Sequence, residues 1–240
     1  MRGRDAPLAF VIDGVTIEAL IRPNYSGQPG EIDQIFRKGW HDNVEIDSKE
    51  LRMLLNFQNE QGDVQYRPEG DFKESLSFGL YIVGQGYHEL KLPLDGQSGR
   101  PTLSDLKAGN IHHIVATYNV ATGLKAIYID GVKHAYYQYP AGSRVLSGGV
   151  GRAAIGNTPA SFRRSKEAFS GEIDEVAFYD FSLPPFILQD HFKNTQHGLN
   201  YFGLPPSTKT LPSNIKIALP ADVSVELDPF TGLPNQFVVP

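Results

Sequence analysis

The run Ile111–Ala135, IHHIVATYNVATGLKAIYIDGVKHA, constrains the fold of this chain more than any other segment. Two alternating apolar stretches, Ile111–Tyr118 and Leu124–Ile129, flank a turn at Asn119–Gly123. The second stretch closes on Asp130-Gly131, a pair suited to the two positive-φ positions of a tight hairpin turn. The pattern predicts a meander of three antiparallel strands, the third starting at Val132.

Composition agrees with an all-β chain. At 240 residues, one large β domain or two small ones are possible. Glycine (24) and proline (17) are frequent enough for many short turns and too few for disorder. Eleven tyrosines and fourteen phenylalanines add strand propensity. A net charge of −5 argues against a nucleic-acid partner, which calls for a basic face. Cysteine is absent, which removes disulfides and thiolate metal sites without placing the chain in the cytosol. No apolar run approaches the ~18 residues of a membrane span. The N-terminus, MRGRDAPLAF, has basic residues with no apolar stretch behind them, so no signal peptide is read.

A second marker is Phe169–Tyr179, FSGEIDEVAFY, followed by DFSLPPFILQDHFKN, which reads as a short helix near 184–193. Together with the meander it resembles the closing half of a laminin-G-like jelly roll, the concanavalin A-like sandwich of many secreted recognition modules. Val15–Arg22 (VTIEALIR) is similar to that family's FTIEAWVKP strand, with Leu20 in the tryptophan position. His112-His113 matches its tryptophan-His-His entry to the meander, with Ile111 replacing the tryptophan. The family's helix usually starts on a serine-type cap, where this chain has Pro184. The resemblance covers roughly Val15–Asn194 and implies a two-sheet antiparallel β-sandwich of about a dozen strands, with one short C-terminal helix. Further strands are read around Asp33–Lys38, Glu50–Asn59, Leu76–Val83, Tyr87–Leu92 and Ala153–Gly156. Predicted core positions are Ile17, Ala19, Ile35, Leu54, Ile114, Ala116, Ile127, Ile129, Val176 and Phe178.

The sequence divides into a sandwich over 1–198 and an extended tail over 199–240. Pro205-Pro206-Ser-Thr-Lys-Thr reads as a linker, and Asn214–Leu227 holds two short alternating runs split by Pro220. Few residues precede Val15, where the family generally has an opening strand. Residues 214–227 therefore either run back along that sandwich edge or connect to a neighbouring domain or chain.

Candidate site residues fall into three groups. Adjacent histidines on a strand point to opposite faces, so His112 and His113 are read as structural, one buried and one near the surface. Asp174 lies in GEIDEV and shares its strand face with Val176 and Phe178, and a carboxylate in line with apolar neighbours needs a partner. In related sandwiches an aspartate here often holds calcium with backbone carbonyls, so the resemblance implies Asp174 as a calcium ligand. Trp40 in a polar loop with Asn43, and Tyr136, Tyr137 and Tyr139 after the hairpin, are the aromatic groups on which a sugar could stack. Tyr136 and Tyr137 point opposite ways on a regular strand.

The same superfamily contains retaining β-glucan hydrolases, and Glu45-Ile-Asp47-Ser-Lys-Glu50 completes their acidic spacing. Ser48-Lys49 lacks the apolar alternation that would lock such carboxylates in a cleft, and the chain has one tryptophan where those enzymes have a tryptophan-rich groove. The chain is therefore read as non-catalytic: a module binding glycan or protein within a larger extracellular or cell-surface protein. The alternatives are an assembly domain docking through its tail and, behind it, a β-glucan hydrolase.

Overall fold

The structure, a computed structural model, describes residues 14–38, 53–59, 74–146, 153–158 and 167–205, with the backbone of 224–227 and 234–238. It contains two compact units, 1–205 and 206–240. In chain order the first unit holds β1 (Gly14–Pro23), β2 (Ile32–Lys38), β3 (Met53–Gln58), β4 (Ser75–Ile82) and β5 (Gly86–Pro93). A short helix α1 (Leu103–Leu106) leads to β6 (His112–Asn119), β7 (Leu124–Ile129), β8 (Val132–Gln138) and β9 (Val145–Leu146). Then come β10 (Ala153–Ile155), β11 (Gly171–Tyr179) and α2 (Pro185–Gln196). The second unit is described as one hairpin, β12 (Ser224–Leu227) on β13 (Pro234–Val238).

The two sheets of the sandwich run β11-β1-β6-β7-β8 and β10-β2-β3-β4-β5, with β9 also pairing β4. The meander is the β6-β7-β8 side of the first sheet. Its hairpin turn takes Asp130 at φ 53 and Gly131 at φ 76, the two left-handed positions the sequence required. Strand β1 is flanked by β6 and by β11, so both places beside it are filled within the sandwich. In the second unit 224–227 pairs with 234–238, and residues 214–223 lie outside the described residues.

Alternation builds the core. Ile17, Ala19 and Ile21 from β1 meet Ile114, Ala116 and Tyr118 from β6, Ile127 and Ile129 from β7, and Met53, Leu55, Phe57, Leu76 and Phe78 from the facing sheet. Val176 and Phe178 pack against this cluster. Leu54 is buried too, but on the opposite face of its sheet, because Met53, Leu55 and Phe57 hold the inward positions of β3. A second, smaller cluster lies on the outer face of the first sheet. There Val115, Ala126 and Tyr128 are covered by Leu183 and Leu188 of the α2 region. Pro184 occupies the N-cap in extended conformation and Pro185 the first helical position, where the missing N–H costs nothing.

Residues 199–205 stay with the sandwich. The Tyr201 ring stacks on His191 of α2, with centroids 5.2 Å apart. Among the described residues no helix is long and apolar enough to cross a membrane.

Candidate functional site

The outer face of the second sheet carries polar side chains in cross-strand rows. Gln34 of β2 lies opposite Asn56 of β3, Asn56 opposite Ser77 of β4, and Ser77 opposite Lys91 of β5. The neighbouring row is Arg37, Leu54, Gly79 and Glu89. Gln34 and Arg37 share a face despite their odd spacing because β2 carries a bulge between Gln34 and Phe36. That bulge turns both Ile35 and Phe36 into the core. Outside, Gln34 Nε2 donates to Glu167 Oε2 at 2.8 Å, and Arg37 forms an ion pair with the same oxygen.

Glu89 is held from two sides. Gln58 Nε2 donates to its Oε2 at 2.7 Å and Tyr87 Oη to its Oε1 at 2.8 Å. The tyrosine ring reaches this position by lying over Gly79, where an added Cβ would stand 2.1 Å from Tyr87 Oη. Glycine is therefore required in the middle of β4 for a packing reason rather than a backbone one. Three polar atoms of the Gln34 row have no hydrogen-bond partner: Gln34 Oε1, Asn56 Oδ1 and Ser77 Oγ. All three residues are buried, at 1%, 2% and 0% exposure.

The aromatic residues named from the sequence separate. Tyr136 is 61% exposed, with Lys133 Nζ 4.9 Å from its ring centroid. Tyr137 points the other way and meets Tyr139 edge-on at 4.7 Å. Tyr139 itself is a core residue, packed against Tyr118 at 5.9 Å. Of the three, Tyr136 alone presents its ring to solvent. Trp40 and Asn43 lie outside the described residues, as do Glu45, Asp47 and Glu50.

Asp174 corrects an expectation of regular alternation. The β1–β11 register slips between Glu18 and Leu20, and Glu175 opposite the slip takes φ 46. This bulge puts Ile173, not Asp174, in line with Val176 and Phe178 on the core side. Asp174 is exposed, and its Oδ1 accepts the Glu175 N–H at 2.8 Å. Among the described residues no group of three or more His, Cys, Asp or Glu is placed to hold a metal ion.

The two histidines take opposite faces as read. His112 Nδ1 lies 2.8 Å from Asp130 Oδ2 at the hairpin turn. His113 turns under α2, where its Nε2 donates to Glu18 Oε2 at 3.0 Å. Glu18, on the outward side of β1, is fully buried there. It also accepts from His191 Nδ1 at 3.1 Å and from Tyr179 Oη at 2.7 Å. Burial pushes this carboxyl up, but the bonds from His113, His191 and Tyr179 outweigh it and hold the pKa at about 2. One carboxylate thus ties β1, β6, β11 and α2 together. The sequence reading missed it, although Glu18 sits at the outward step of an alternating strand and the helix supplies the cover.

With two antiparallel sheets, a meander and a closing helix in place, the family comparison decides the lineage. A laminin G model, described as Concanavalin A-like lectin/glucanases superfamily, matches residues 5–185. The chain belongs to the concanavalin A-like lectin/glucanase superfamily. A comparison with the curated proteins finds no match. Among solved structures, the CBM40 of a Ruminococcus gnavus IT-sialidase, bound to α2,6 sialyllactose, aligns at TM-score 0.50 and 14% identity. That alignment covers 75% of this chain and 82% of that one. A heptameric SAP-like pentraxin from Limulus polyphemus aligns at TM-score 0.47 and 15% identity, covering 76% and 71%. Domains LG4-5 of mouse laminin α1 align at TM-score 0.45 and 13% identity, covering 72% and 37%. The likeness to the Ruminococcus gnavus module is one of fold alone.

Proposed function

We propose that this chain is a non-catalytic recognition module that binds glycan through the outer face of the second sheet, as part of a larger extracellular or surface protein. The observation that carries the reading is the polar face itself. Four adjacent strands present amide, hydroxyl and charged side chains in register, a bed that matches the closely spaced hydroxyls of a sugar. The side chains of this face are buried, Arg37 and Tyr87 being the most accessible of those named at 9% and 8% exposure. Retaining hydrolysis calls for two carboxylates roughly 5–5.5 Å apart. Among the described residues the carboxylates on this face are Glu89, over β5, and Glu167, over β2, and each is already engaged by neighbouring side chains. The Ruminococcus gnavus CBM40, a sandwich bound to sialyllactose, supports the reading.

A glycan array on the full chain, run with calcium and with EDTA, tests the reading. Binding is expected in at least the calcium arm. Loss of binding in EDTA adds a calcium ion to the proposal and makes Asp174→Ala the next variant. A blank array in both arms overturns glycan recognition.

The hairpin β12–β13 favours a second reading, assembly through the tail. A two-stranded hairpin is marginal alone in water and gains by pairing with another chain. Truncation after Pro205 is then expected to leave a folded sandwich that has lost self-association or partner binding, read by light scattering. Unchanged association would remove this reading.

A further inference from the structure

Residues 24–31 link β1 to β2, and they open on Asn24-Tyr25-Ser26. An asparagine two residues before a hydroxyl side chain, with no proline between, is the acceptor triplet for N-linked glycan. Among the chain's asparagines Asn24 alone has this setting. The fold sorts the triplet. Asn24 and Ser26 are exposed, and Tyr25 between them is fully buried. The Tyr25 ring stacks on Phe57 with centroids 5.6 Å apart, and its Oη donates to the Glu31 carbonyl at 3.2 Å. Anchoring Tyr25 in the core holds its two neighbours at the surface.

The Asn24 side chain is also uncommitted. Its backbone N–H donates to the Ser170 carbonyl at 2.7 Å, which fixes the main chain, while among the described residues its side-chain amide has no hydrogen-bond partner. Asn59, Asn119, Asn157, Asn194 and Asn200 each commit their amides to the fold. A sugar on Asn24 Nδ2 therefore displaces no such contact. Ser26 differs. Its Oγ donates to the Glu31 carboxylate and accepts the Gln28 N–H at 3.2 Å. The hydroxyl is thus open to an enzyme only before this turn closes.

We infer that Asn24 is an N-glycosylation acceptor, modified before the 24–31 loop closes on Glu31. This rests on the extracellular placement in the reading above and goes beyond its binding face, because here the sugar is covalent and carried by the protein. Asn24 Nδ2 attacks C1 of an oligosaccharide held on a polyprenyl diphosphate lipid. The C–N bond forms, the C1–O bond breaks with its electron pair leaving on the lipid diphosphate, and Nδ2 gives one proton to a basic group of the transferase. The attached glycan is a bulky, solubilising group. It keeps the sandwich end where β1 passes to β2, beside Ser170 at the start of β11, clear of partners.

The test secretes the full chain from mammalian cells behind a cleavable signal peptide, as wild type, Asn24→Gln, Ser26→Ala and Ser26→Thr. Intact mass is read before and after digestion with peptide N-glycosidase. The same four chains translated in vitro with microsomes give the readout without depending on export. Wild type and Ser26→Thr are expected to carry one glycan, and the digest to return Asn24 as aspartate in the peptide map. Asn24→Gln and Ser26→Ala are expected to lose the glycan, with Asn24→Gln melting as deglycosylated wild type does. Wild type without a glycan in both systems, or a glycan that persists in Asn24→Gln, overturns the proposal and leaves glycan recognition standing. A glycosylated chain that gives a blank glycan array overturns recognition and leaves Asn24 as the acceptor.

Discussion

Glu18→Ala is expected to cost the sandwich about 3–5 kcal/mol, because three donors lose one shared acceptor and each buried polar group left unpaired costs about 1–3 kcal/mol. The variant strips the shared acceptor from His113, His191 and Tyr179 at once. Its pH signature separates this cause from simple cavity formation. The carboxyl sits at about 2 in the fold against an ordinary 4.5. A folded pKa below the unfolded one means that the unfolded chain binds more protons in this window, so stability falls as pH falls. The contribution is present in full above about pH 5 and is lost as pH drops toward 2. A shift of this size corresponds to about 3 kcal/mol. Urea titrations between pH 7 and pH 3 should show wild type losing about 2 kcal/mol of that increment, with Glu18→Gln and Glu18→Ala lacking the same component. Equal acid slopes in all three proteins would show that the carboxylate is not what α2 is tied by. Amide exchange gives the local readout: α2 should lose protection first, because His191 is its polar anchor on the sheet.

This knot also shows where sequence reading stops. The meander was legible because its information is local. Alternation over Leu124–Ile129 and the Asp130-Gly131 pair specify strand and turn without reference to any distant residue. The closing helix was legible for the same reason, from prolines at its start and the spacing of Leu183 and Leu188. Bulges are different. The extra residue at Glu175 leaves no mark in the order of apolar and polar letters, so period-two reasoning carried Asp174 to the wrong face. Leu54 is buried as read, but in the run Met53-Leu54-Leu55 every letter is apolar, and only register assigns the inward pair. Partnerships across long sequence separation were out of reach altogether. That Glu18 meets His113 and His191 follows from β1 pairing β6 while α2 lies above, and the Gln34–Asn56–Ser77 row exists only once β2, β3 and β4 are aligned.

Replacing Lys125 by methionine is expected to raise stability by about 2 kcal/mol at pH 7, the reverse of most core substitutions. Lys125 is fully buried on the core side of β7. Its Nζ donates to the His88 carbonyl at 2.8 Å and lies 5.0 Å from the Phe78 ring centroid. It thereby pins one sheet to the other, at the expense of a poorly solvated charge. Burial pulls its pKa from 10.5 down to about 7, with the Glu89 charge opposing only in part. The folded pKa again lies below the unfolded one, so the unfolded chain binds the extra proton and stability rises with pH between about 7 and 10.5. Below pH 7 the penalty is complete, about 4–5 kcal/mol for a shift of this size. Methionine removes that penalty and keeps the volume, while losing a hydrogen bond and a cation–π contact together worth about 2 kcal/mol. The balance favours methionine at pH 7 and narrows to about zero at pH 10, where the amine is neutral in the fold, has lost its cation–π contact and still donates to His88. The two stability curves should therefore converge as pH rises from 7 to 10 in parallel denaturation experiments. If wild type is the more stable protein at both pH values, the lysine is better solvated than its burial implies, and the pin is not a strained one.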